Sequence, residues 1–157
     1  MGVIIATVIG CGKSYLINEY GDKMAVWDMT PQMGNSKDIA DEASSRANDF
    51  DIVFVRANIG IVDALCDQGT DFDLFYPSKD KANQIVEDLV KKRLDFKAIQ
   101  EFDNHIGDLI DQLDSIDSEH CFKHKLERGQ YLCTDKALKG YLDSFKTKKT
   151  KSKNESD

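Results

Sequence analysis

Val3-Ile4-Ile5-Ala6-Thr7-Val8-Ile9-Gly10-Cys11-Gly12-Lys13-Ser14 is the stretch whose reading decides the fold. The apolar run predicts a strand over about Val3–Ile9. Two glycines break it, and a helix is expected over about Lys13–Glu19. Strand, glycine loop, Lys-Ser and helix together form the P-loop layout. Glycines let backbone N–H groups converge on an anion. The helix start adds unpaired donors and a positive dipole end. Gly10, Cys11, Gly12, Lys13, Ser14 and Tyr15 are therefore candidate polyphosphate ligands. Lys13 would take the β- and γ-phosphates, and the Ser14 hydroxyl would take Mg²⁺. Thr7 stands where the full pattern has its first glycine, so the turn out of the strand is expected to differ. Two readings stay open: a working phosphate seat, or a glycine-rich turn or decayed loop that binds nothing. A lysine in a first helical turn opposes the dipole unless an anion is near, which weighs toward the first.

The chain has 157 residues, enough for one domain with a sizeable core. Its net charge of −7 is uneven: residues 146–157 carry five lysines against two acids, which leaves the rest at −10. Residues 1–145 read as the folded domain. The low-complexity tail, 146–157, reads as disordered. An acidic body argues against a duplex-binding surface. The tail can touch nucleic acid or acidic partners, though a solubilising role is favoured. No apolar run approaches a membrane span, and the start has no basic region of a signal peptide. Four cysteines at wide spacing (Cys11, Cys66, Cys121, Cys133) suit reduced thiols in a cytoplasmic protein. Cys11 is either an activated thiol in an electropositive loop or a small side chain tolerated there.

Further on, Met24–Trp27 is a short apolar run closed by Asp28. Ser36 is expected to cap a helix with Ile39, Ala40, Ala43, Ala47 and Phe50 at helical spacing. Ile52–Val55 reads as a buried parallel strand that ends at Arg56. A helix over 59–68, a strand over 72–76 and an amphipathic helix over 80–93 follow. That last helix shows a stripe of Ala82, Ile85, Val86, Leu89 and Val90. A long helix over 96–116, a strand over 121–126, a loop at Gly129-Gln130-Tyr131 and a helix over 135–145 complete the order. Strands that alternate with helices predict an α/β domain: a three-layer sandwich of the P-loop NTPase type around a mainly parallel five-stranded sheet. Ligands of such sheets bind at the carboxyl ends of the strands, where Asp28, Arg56 and Tyr76 are expected to gather.

Asp28 can orient an acceptor hydroxyl, accept its proton or hold Mg²⁺ through water; equally, it can be a turn residue. Arg56 suits a phosphate or carboxylate, or a salt bridge. Lys91-Lys92-Arg93 can stabilise a helix end or bring positive charge over a transferring group. Arg46 can reach an acceptor phosphate or lie on a solvated face. His105 reads as a packed residue, and His120 and His124 lack zinc-site spacing.

The stretches Ile9–Ser14, Val26–Pro31, Asp51–Arg56, Phe72–Pro77 and Gly129–Leu132 carry a resemblance. The chain resembles the P-loop nucleoside and nucleotide kinases, adenylate kinase among them, and especially small members carried by bacteriophages. That resemblance implies ATP with Mg²⁺ on Lys13 and Ser14 and an acceptor after the second strand. Asp28 would sit at the acceptor; its metal role remains the one read above from the residue itself. Arg56 would meet the acceptor phosphate, Arg93 would belong to a lid, and Gln130 would lie near the adenine. It also implies the cytoplasm, the host's if a phage encodes the chain. Thr7, the missing acid after the third strand and a chain with only four arginines depart from the family pattern.

Three functions compete. One is an ATP-dependent phosphotransferase acting on a (deoxy)nucleoside monophosphate or related small acceptor. Another is a kinase of nucleic-acid ends or modified bases, assisted by the tail. The third is a non-catalytic nucleotide-binding protein on a degenerate kinase scaffold.

Overall fold

The computed structural model describes residues 2–145; the tail expected to be disordered lies outside the described residues. Five strands are present: β1 Val3–Thr7, β2 Val26–Asp28, β3 Ile52–Arg56, β4 Phe72–Pro77 and β5 Cys121–Leu126. The helices are α1 Lys13–Tyr20, α2 Ser36–Arg46, α3 Ile59–Asp67, α4 Lys79–Lys91 and α5 Phe96–Asp114, with α6 over 136–145. A single 3-10 turn, Leu132–Thr134, precedes α6.

Every strand pair is parallel, in the order β2-β3-β1-β4-β5. β1 and β3 are nearly continuous apolar runs because both their faces are covered, and β4 breaks that pattern once, at half-buried Asp73. The edges differ. β2 is only half-buried, and β5 turns Lys123 and Lys125 outward, which blunts the exposed edge. The chain steps from β1 to the β2 edge and then works back across the sheet. Right-handed crossovers therefore put α1 on one face and α2, α3 and α5 on the other. Packing agrees: α2 and α5 both rest on α3, whereas α1 meets the 3-10 turn. α6 lies on the α1 side, where Tyr20 Oη of α1 donates to Asp143 Oδ1 at 3.4 Å, and Tyr141 Oη donates to the Asp51 carbonyl at 3.0 Å. The reversal at β1 opens a crevice at the carboxyl edge between β1 and its neighbours.

Several expectations shift. β1 ends at Thr7, and Ile9 is exposed outside the sheet. Thr7 is the last paired residue of β1, buried, with no positive φ. A glycine is not needed where the backbone is ordinary strand, so the expected distortion is absent. Asn35, not Ser36, caps α2: its Oδ1 accepts from the N–H groups of Lys37 and Asp38. On α4 the expected stripe is incomplete. Ala82 and Ile85 are buried, but Val90 is exposed and Lys81 is fully buried instead.

Candidate functional site

Between β1 and α1 the chain makes a loop with Gly10 at φ 87° and Gly12 at φ 103°. Both values lie where a side chain is strained, and both glycines are closely overlaid. A Cβ on Gly10 would stand 2.7 Å from Ile85 Cγ2, and one on Gly12 would stand 3.1 Å from Tyr131 Cβ. Cys11 lies between them, fully buried, and its carbonyl accepts from the Leu132 N–H at 2.8 Å. α4 and the Tyr131-Leu132 segment thus clamp the loop. Gly12 caps α1 without a side-chain acceptor. Among the described residues no acceptor takes the backbone N–H groups of residues 10–15. Free donors at a helix start are a chemistry that can receive an anion.

Lys13 does not stand alone at this helix start. Its Nζ donates to Asp28 Oδ2 at 2.8 Å and to the Thr30 hydroxyl. Asp28 Oδ1 accepts from the Thr30 N–H at 3.0 Å and from its hydroxyl at 2.7 Å. Partial burial pushes the Asp28 carboxyl up, but the Lys13 and Thr30 hydrogen bonds and the Lys13 charge outweigh it and hold the pKa below the ordinary value. The anion that Lys13 seemed to need from outside is supplied within the chain. Asp28 and Lys13, read separately from the sequence, form one unit.

Arg56 ends β3 beside this unit. Its Nη2 donates to the Thr30 carbonyl at 2.9 Å, and Nη1 reaches Met33 Sδ at 3.9 Å. It makes no salt bridge among the described residues, contrary to the alternative reading. The loop, Lys13, Arg56 and Asn58 border a cavity of about 1560 Å³. Its far wall comes from α4 and α5, with Leu89, Phe102, Ile106 and Leu109. Ser14 and Tyr15 lie exposed at its mouth, and the Ser14 hydroxyl has no partner among the described residues. That hydroxyl fits a nucleotide-borne Mg²⁺. Asp28 fits only through water or after releasing Lys13, because both its oxygens are engaged.

Other candidates sit elsewhere. Gln130 turns back to accept from the Glu127 N–H at 2.8 Å, and Tyr131 lines the cavity in its place. Arg93 is exposed beyond α4, outside the cavity lining, while Lys92 and Leu94 belong to it. Arg46 stacks on Trp27, 4.3 Å from the ring centroid, and is not among the residues that line the cavity. Tyr76 is tied to Asp114 at 2.6 Å. His105, expected to be packed, is exposed on the cavity wall. Cys11 is not an activated thiol: burial pushes its pKa to about 11 despite the opposing Thr7 hydrogen bond and Lys81 charge.

Sequence reading missed Thr30, Lys81 and Tyr131. Thr30 had a signal, since Asp-x-Thr favours an Asp-capped turn. Lys81 had none, because a lysine on an amphipathic helix reads as solvated.

Compared with models of known protein families and with curated protein sequences, the chain has no match. Among the described residues no helix is long and apolar enough to cross a membrane. No cluster of three or more His, Cys, Asp or Glu among them is placed to hold a metal ion.

Proposed function

We propose that this chain is a P-loop protein that binds a nucleoside triphosphate with Mg²⁺ and transfers a phosphoryl group to a small acceptor, a (deoxy)nucleoside monophosphate or a related molecule. The observation that carries this reading is the run of N–H groups over residues 10–15 that lack an acceptor among the described residues, in a loop that two positive-φ glycines open beside a large cavity. Gly10, Cys11 and Gly12 supply backbone donors to the phosphates. Lys13 swings from Asp28 to the β- and γ-phosphates. Ser14 takes the Mg²⁺, which neutralises the phosphate oxygens and arrives as part of the substrate. Asp28, released from Lys13, orients the acceptor and takes its proton where the attacking group is a hydroxyl, whereas a phosphate oxygen attacks already ionised, and Arg56 meets acceptor charge. Arg93 contributes from the α4–α5 turn, and the loop of Gln130 and Tyr131 borders the base. Phosphoryl transfer suits such a site because it needs positioning and charge stabilisation more than covalent help. The four free cysteines support a cytoplasmic setting.

A second reading, nucleotide binding without catalysis, draws on the Lys13–Asp28 pair and on Arg56 standing where an acid would be expected. A nucleic-acid-end kinase rests only on the tail and is not favoured by the acidic body.

Thermal shift with ATP–Mg²⁺, then ADP release across a panel of nucleosides and nucleotides, separates these. A shift that Lys13→Ala abolishes, with turnover on one acceptor, supports the transferase. A shift without turnover supports the second reading. A Lys13→Ala protein with the full shift removes both.

A further inference from the structure

Lys81 is the most unusual side chain outside the site's lining. It is fully buried, in the first turn of α4, where a cation already opposes the helix dipole. Buried lysines ordinarily find a carboxylate; Lys81 has none in ion-pair range among the described residues. The neighbouring acids are drawn away, since Asp80 and Glu87 both pair with Arg128, at 3.1 and 2.9 Å. Asp88 acts on it only at a distance. The Lys81 ammonium donates to Gln84 Oε1 at 3.0 Å and stands 3.4 Å from the Tyr131 ring centroid. An amide oxygen and a ring face are both partners of a cation, so the surroundings suit the charged form. Burial pulls its pKa below the ordinary lysine value.

The position of this charge is what gives it a use. Ile85, one helical turn on, covers Gly10, and Tyr131, beneath the ammonium, covers Gly12. Ile85 and Tyr131 also line the cavity, so Lys81 lies one layer behind the cavity wall, beside the glycine loop. We infer that Lys81 is a positioning residue: a buried, uncompensated positive charge that backs the loop and strengthens its hold on an anion in proportion to the anion's charge, without touching it. This rests on the phosphate-binding reading above. Two features of one turn, the helix N-terminus and the ammonium, then add potential of the same sign, and a polyphosphate supplies the missing counter-charge.

The test compares the whole chain with its Lys81→Met and Lys81→Arg variants. Calorimetric titration with AMP, ADP, ATP and tripolyphosphate is run at low and high salt. For Lys81→Met we expect a loss that grows from AMP to ATP, reaching about tenfold for ATP at low salt. Its melting temperature without ligand should be unchanged or higher, because an apolar chain replaces a buried charge. Lys81→Arg should keep the charge dependence. An equal loss for all four ligands means a merely structural role and overturns the inference. So does wild-type affinity in Lys81→Met for every ligand that binds. If Lys81→Met fails to fold, Lys81→Gln is read by the same criteria. A wild-type protein that binds none of the four overturns the phosphate-binding reading itself, and this inference with it.

Discussion

Lys13 and Asp28 hold each other, and any ligand on the loop must compete with that pair. Asp28→Asn frees the lysine. ATP should then bind at least as tightly as to the wild type, while turnover falls if Asp28 is the proton acceptor; titration and ADP release read the two separately. Stability moves the other way. The folded-state pKa of Asp28 lies below its ordinary value, so its contribution is present above that value and is lost as pH falls through the folded-state pKa. Asp28→Asn should cost on the order of 1 kcal/mol near pH 7, and the gap to wild type should close below about pH 4. Denaturant melts of both proteins at the two pH values check this. Cys11 makes a simpler case. A thiol raised to about pKa 11 and fully buried should be the last of the four to react with iodoacetamide in the native state. Peptide mapping that finds Cys11 labelled before Cys66 or Cys133 would contradict this placement.

The turn after α4 shows how an element end stores strain. Arg93 has φ 55°, the one positive φ outside glycine among the described residues. It occupies the position just past the helix cap: its N–H reaches the Val90 carbonyl at 3.0 Å, and the Leu94 N–H reaches Leu89 at 3.4 Å. These are the two bonds of a Schellman motif, in which glycine is the usual residue at this point. Arg93→Gly should therefore stabilise the protein by about 1 kcal/mol, since the left-handed conformation is costly for a side chain with Cβ. A lid role for the guanidinium predicts that the same variant loses turnover. A variant that gains no stability, as read by its melting temperature, would leave the strain unexplained. The pattern of apolar residues found α4 and most of its buried face, but added Val90 and left out Lys81. Periodicity counts Val90 into the stripe, whereas the last turn of α4 is exposed at that side chain and only packing on Tyr131 makes room for Lys81.

Across the whole molecule, His124 joins parts of the chain that are far apart in sequence. On β5, its Nε2 meets Asp73 of β4 and its Nδ1 meets Asp135 before α6, each at 2.9 Å. Its ring stacks on Phe75 with centroids 4.3 Å apart. Asp135 also caps α6 through the Leu138 N–H. His124→Ala should cost about 2–3 kcal/mol, because two partly buried carboxylates then lose the ring that joins them. Urea denaturation measures it, and a loss below about 0.5 kcal/mol would mean the tie is idle. Local order was readable from residues 1–145 alone. Apolar runs at Val3–Ala6 and Ile52–Val55, and helical spacing over Phe96–Asp114, follow from burial on two faces or one. Those periods belong to the chain itself. The glycine loop was legible for the same reason: positive φ at Gly10 and Gly12 is a local demand that glycine meets. Strand order, the Lys13–Asp28 pair, the inward turn of Lys81, Tyr131 rather than Gln130 at the cavity, and the burial of Cys11 were not. Each depends on segments brought together from 15 to 121 residues away, and a side chain's partner and solvation are set by that meeting, not by its neighbours in sequence.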